Sequence, residues 1–178
     1  SGMAAAPRMR SVTFTIWERT VLVPIEVSHL LKPAVWILLG MFLLSGVGPW
    51  SFPCGSAWTR GITAALALAA SILAGAVIAP ILLPWVPGKA FSMKGALTGL
   101  ILSFVVIVVS WSRVGGLGGL ALILFITALS SYLTMNFTGS TPFTSPSGVE
   151  KEMRKAIPYQ ATAVLIALMT WVGSAFIG

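Results

Sequence analysis

A chain of 178 residues that is 57% hydrophobic and 8% charged, with a mean hydropathy of +0.96, has too little polar surface to face water. Soluble domains carry about 25% charged residues; here 11 Lys and Arg stand against 4 acidic residues, a net charge of +7. This excludes an ordinary soluble domain, a disordered chain and a nucleic-acid-binding module, and the basic excess reads as membrane topology. A single Cys excludes an internal disulfide and a Cys-rich metal centre, and one His with no Asp leaves little for acid–base or metal chemistry.

Ser1-Gly2-Met3 reads as a cleavage scar before a start residue, so residues 1–13 are taken as a tag remnant and N-terminal arm. They do not form a signal peptide, because Arg8 and Arg10 are followed by Glu18 and Arg19 and not by an unbroken apolar run. Residues 14–32 are expected to form an amphipathic helix. At about 100° per residue, Thr15, Glu18, Arg19, Glu26, His29 and Lys32 fall within about 140° of the wheel; Phe14, Trp17, Val21, Leu22, Ile25 and Leu31 lie mainly on the rest of it, with Thr20 the polar misfit. Pro24 should bend it. Such a helix lies in the membrane interface with its polar face toward the cytosol. His29, beside Glu26 and Lys32, reads as a solvated histidine, with no partner cluster for a metal.

Five apolar stretches approach the roughly 20 residues needed to cross a bilayer: Pro33 to Trp50, Gly61 to Pro80, Gly95 to Trp111, Gly116 to Met135 and Ile157 to Ile177. The expected fold is an all-α integral membrane bundle of five transmembrane helices (residues 33–178), preceded by the interfacial helix. With five spans, Arg8, Arg10, Arg19, Lys32, Lys89, Lys94, Lys151, Arg154 and Lys155 share one side and only Arg60 and Arg113 the other. By the positive-inside rule the N-terminus is cytoplasmic and the C-terminus outside, as in a multi-pass protein of the inner membrane. Trp36, Trp50, Trp58, Trp85, Trp111 and Trp171 near the span ends read as interfacial anchors. Ala67, Ser71, Gly75 and Ala79 in the second span and Gly95, Gly99 and Ser103 in the third are small residues at four-residue spacing. They predict the tightest contact between those two spans. No ionisable residue falls inside these boundaries, which argues against a proton- or ion-coupled transporter.

Residues 136–155 form a polar loop. Ser147 and Glu150 have capping-box spacing, so a short helix should begin near Gly148. Glu150 and Arg154 are placed to pair at i,i+4. The helix start, ringed by Thr138, Gly139, Ser140, Thr141 and Ser147, offers an anion- or amide-binding nest. The fourth span leads into it with Thr127, Ser131 and Thr134 on one face. The plain reading is a solvated turn; the sharper one is a cytoplasmic docking or ligand surface made of Glu18, Arg19, Glu26, His29, Thr138, Gly139, Ser140, Thr141, Ser147, Glu150 and Arg154. The Asn136-Phe137-Thr138 sequon is a chance match in a cytoplasmic loop.

That loop, NFTGSTPFTSPSGVEKEMRKAIP, resembles the membrane domain of the corrinoid protein of microbial mercury methylation, and the arm IWERTVLVPIEVSHLLKPA is similar to the segment entering that domain's first span. The resemblance implies an upstream soluble corrinoid domain that holds cobalamin, a ferredoxin-like partner with two four-iron clusters, and methyl transfer to inorganic Hg(II). In the family the cobalt-ligating Cys lies in an Asn-Val-Trp-Cys-type motif. Here Cys54 lies in Ser51-Phe52-Pro53-Cys54-Gly55 on the far side, so that role is not carried over. Cys54 is a lone soft thiolate for Hg(II), whose linear coordination wants two, and reads first as a loop cysteine. Met41, Met93, Met135 and Met169 read as apolar filler. The expectation is a non-catalytic membrane half with no cofactor of its own and with the bilayer, the corrinoid domain and the iron–sulfur protein as partners. The alternatives are passage of Hg(II) or a small solute, motivated by Thr127, Ser131, Thr134 and Cys54, and a quinone-binding anchor subunit of a redox enzyme.

Overall fold

The computed structural model describes residues 16–48, 54–88, 90–139 and 146–177. Among them there is no strand. The elements are α1 (Ile16–Ser45), α2 (Cys54–Ile72), a π-helical turn (Leu73–Ile78), α3 (Ala79–Leu82), α4 (Phe91–Ser110), a 3₁₀ turn (Trp111–Arg113), α5 (Gly116–Gly139) and α6 (Pro146–Ile177). Five helical stretches are long and apolar enough to cross a membrane: Thr20–Ser45, Ala57–Leu82, Phe91–Arg113, Gly116–Phe137 and Glu150–Ile177. The expected all-α bundle of five spans is therefore present. Large apolar side chains such as Val108, Val109, Leu165 and Met169 face outward. Hydrocarbon solvates such a surface at no cost, whereas water would not.

Two boundaries differ from the sequence expectation. The amphipathic segment from Ile16 does not end before the first span: α1 continues through Pro24 and Pro33 to Ser45. Each proline removes one backbone donor and crowds one carbonyl, a local cost that a long helix survives. Likewise, the short helix expected near Gly148 starts at Pro146, which suits a first helical position. It runs through Pro158 into the fifth span as a single 32-residue helix.

α5 is the central helix. It packs most extensively against α4 and α6, and also against α2, the π turn and α3. The expected tightest pair was the second and third spans. The small-residue stripes do mark close approach, but both turn toward α5. A Cβ on Gly75 would lie 2.6 Å from the Ser130 carbonyl oxygen, and one on Gly99 2.7 Å from Ser130 Cβ. Without a hydrophobic force between helices in lipid, backbone proximity of this kind supplies the attraction.

The π turn has a local cause. Its register is set by Ala79 N–H donating to the Ala74 carbonyl, five residues back. The next donor in that register, for the Gly75 carbonyl, would be the nitrogen of Pro80, which has no hydrogen. Thr134 of α5 fills the gap: its Oγ1 is 3.1 Å from the Gly75 oxygen and 2.9 Å from the Ser130 oxygen, with one proton to share. An exposed carbonyl in hydrocarbon would cost several kcal/mol, so a donor from a neighbouring helix is what such a defect requires.

Candidate functional site

Hydroxyl groups of α5 stitch the bundle near the end where α4 and α6 begin. Ser130 Oγ donates to the Gly95 carbonyl at 2.8 Å. Ser131 Oγ donates to the Ser92 carbonyl at 2.8 Å. Gln160 of α6, 9% exposed, donates through Nε2 to Ser131 Oγ at 2.8 Å. The directions follow from chemistry: a carbonyl only accepts, so Ser131 spends its proton on Ser92 and must accept from Gln160. Gln160 Oε1 is left buried without a partner, as is Thr127 Oγ1 one turn along α5 from Ser131. Both residues line a cleft of about 240 Å³ between α4, α5 and α6, walled mainly by Ala96, Leu100, Ile123 and Ala163.

Ionic and backbone links close the same end. Glu152 Oε1 accepts from the Ser92 N–H at 2.6 Å, so a carboxylate of α6 caps the first turn of α4. Lys94 Nζ donates to the Leu83 carbonyl at 2.6 Å. The chain between them turns at Gly88, whose φ of 121° suits glycine. Replacing Glu152 with alanine is expected to cost about 1 kcal/mol through loss of the cap. Glu152→Gln, which keeps an acceptor oxygen, should recover part of that loss in thermal denaturation of the detergent-solubilised protein.

The residues singled out in the sequence are only partly assembled. Arg154 Nη2 and Glu150 Oε1 pair at 2.8 Å on the first turns of α6, both exposed, as their spacing predicts. Glu26 and His29 lie on α1, and among the described residues no ion pair joins them to Glu150 or Arg154. Glu18 and Arg19 belong to α1, Thr138 and Gly139 to the end of α5, and Ser147 to the start of α6; their side chains lie outside the described residues, as does that of Cys54 at the start of α2. Ser140 and Thr141 lie wholly outside them, and so does Trp50. The proposed nest is thus undescribed, and the described helix starts two residues before Gly148.

The Thr127, Ser131 and Thr134 face is not a free polar lining. Ser131 and Thr134 are bonded to neighbouring backbones, leaving Thr127 alone. Sequence reasoning also passed over Ser92, Ser130, Glu152 and Gln160. Gln160 carried a signal: it is the chain's sole glutamine and lies in the fifth span.

The opposite end holds a second cluster. Arg60, taken from the sequence as a loop residue, lies on α2 inside the second span. Its Nη1 donates to Ser174 Oγ at 3.1 Å, its Nη2 to the Trp171 carbonyl, and its guanidinium stacks 4.6 Å from the Trp171 ring. Trp171 is 4% exposed and donates through Nε1 to Ser45 Oγ at 3.0 Å. It is a core residue and not the interfacial anchor expected, whereas Trp36, Trp58, Trp85 and Trp111 are exposed as anchors would be. The absence of ionisable residues from the spans therefore held only for the narrower sequence boundaries.

Among the described residues no three of His, Cys, Asp and Glu gather into a metal site. What the arrangement can do is hold five helices in register and present an exposed ion pair at one end and a part-polar cleft within the bundle. Comparison with known proteins finds no family model, curated protein or solved structure that matches this chain.

Proposed function

We propose that the chain anchors a soluble catalytic unit at the cytoplasmic face of the inner membrane. The unit suggested by the polar loop is the corrinoid domain of a mercury-methylating protein, with its two-cluster iron–sulfur partner. The observation that carries this reading is the exposed Glu150–Arg154 pair on α6, a helix that runs on into the membrane and is stapled to α4 two residues along by Glu152. A partner docked there would be held by a rigid lever instead of a loose loop. In this orientation the N-terminus is cytoplasmic, and nine of the basic residues face the cytosol. Cobalamin and the methyl-transfer chemistry would belong to the upstream domain. Passage of Hg(II) is less well supported, because Ser131 and Thr134 are spent on backbone carbonyls.

An exposed i,i+4 pair contributes about 0.3–0.5 kcal/mol, so Glu150→Ala with Arg154→Ala should leave the bundle folded. In membranes containing the full-length protein and its iron–sulfur partner, the double substitution is expected to lower methylmercury formation several-fold. Unchanged formation would remove the docking role.

A further inference from the structure

We propose that the cleft between α4, α5 and α6 binds a membrane-soluble molecule that carries a hydroxyl group on an apolar body. This site is separate from the docking reading and does not depend on it. Two polar atoms with unused hydrogen-bonding capacity belong to residues lining this cleft. Gln160 Oε1 is a pure acceptor, because the chain from the Ser92 carbonyl through Ser131 fixes the amide orientation. Thr127 Oγ1 is a hydroxyl without a partner, able to donate. In an apolar setting an unmet polar group is destabilising, so a ligand that satisfies it is favoured. A hydroxyl-bearing ligand offers what each lacks, a donor for the Gln160 oxygen and an acceptor for Thr127.

Ligands without a donor leave the Gln160 oxygen unmet. The choline headgroup of phosphatidylcholine has no N–H or O–H and so does not fit. The rest of the wall is Ser131, whose hydroxyl is spent on Ser92 and Gln160, the exposed Tyr159, and apolar side chains such as Ala96, Leu100, Ile123 and Ala163. A volume of about 240 Å³ exceeds the ~150 Å³ cavity that accepts benzene, so a ring or a short acyl segment fits behind the hydroxyl. Two sources share this chemistry: phenols of the quinol type, and lipid alcohols such as diacylglycerol.

The test uses the full chain in phosphatidylcholine nanodiscs, with binding read by native mass spectrometry. The probes are a long-chain alkylphenol and dioctanoylglycerol, each beside its O-methyl ether, which keeps the apolar body and loses the donor. Saturable binding of at least one alcohol is expected, about tenfold tighter than its ether. Preference for the phenol assigns a quinol-type ligand, and preference for the glycerolipid assigns a lipid alcohol. Gln160→Met should bring the alcohol-to-ether ratio close to one, whereas Thr127→Val, nearly the same shape, should weaken alcohol and ether alike and leave the ratio in place. The ether comparison on the unaltered protein holds even where Gln160→Met fails to fold. Equal binding of alcohol and ether, no saturable binding of either alcohol, affinities unchanged in Thr127→Val, or a preference that survives Gln160→Met would overturn the assignment.

Discussion

Replacing Gly95 with valine is expected to disrupt the bundle more than any other single change to a small residue. A Cβ at this position would lie 2.7 Å from the Ser130 carbonyl oxygen and closer still to Thr134 Oγ1. Neither neighbour can withdraw freely. The Ser130 oxygen is backbone, and Thr134 is held by the Gly75 carbonyl of the π turn. Relief therefore requires α4 to move away from α5, which breaks the Ser130–Gly95 hydrogen bond and loosens Ser131–Ser92. Overpacking alone costs about 1–3 kcal/mol, and each lost bond adds about 1 kcal/mol. A drop of roughly 10 °C in the thermal midpoint is the expected scale. Gly40→Ala and Gly173→Ala are the controls, since a Cβ at either meets nothing within 4 Å. Both should be neutral or slightly stabilising, because alanine loses less backbone freedom in a helix. Equal losses at Gly95 and Gly40 would mean that close approach to α5 is not what holds α4.

The second large effect is expected at Trp171. Its ring is buried, its Nε1 holds Ser45 of α1, and its face and carbonyl hold Arg60 of α2. One side chain thus ties three helices at the end opposite the Glu152 staple. Trp171→Ala should cost about 3–5 kcal/mol, the usual range for removing a buried aromatic, and it also strips the guanidinium of its stacking partner. Trp171→Phe keeps an aromatic face but gives up the Ser45 bond and part of the ring volume, so about 1–3 kcal/mol is expected. Arg60→Met removes the part-buried charge together with its hydrogen bonds and should cost less than Trp171→Ala, because an apolar replacement leaves no orphaned ion. A double-mutant cycle in detergent denaturation should give a coupling of about 1–2 kcal/mol between the two sites. Additive losses would show that the stacked geometry contributes no stability.

The difference between the small-residue stripes and their partner shows how far local pattern reaches. Gly75, Gly95 and Gly99 announce that a backbone comes close, because removing a side chain has no other evident use in a membrane helix. They do not say whose backbone. Both stripes find α5, whose Ser130 and Thr134 carry the hydroxyls that the π turn and α4 need. Arg60 and Trp171 are a similar case. Near a span end each is compatible with the headgroup region, and only the neighbours across the bundle turn them into a clasp.

Five spans, their approximate lengths and the Glu150–Arg154 pair were legible from sequence, because each rests on local physics: the thickness of hydrocarbon sets a helix length, and an i,i+4 spacing sets a distance along one helix. The centrality of α5, the Glu152 cap and the unmet oxygen of Gln160 were decided only by tertiary structure. Each depends on which atoms from distant parts of the chain come within about 3 Å of one another. Hydropathy carries no such information, since in lipid all apolar helix faces are nearly equivalent and only backbone approach and hydrogen bonding distinguish them.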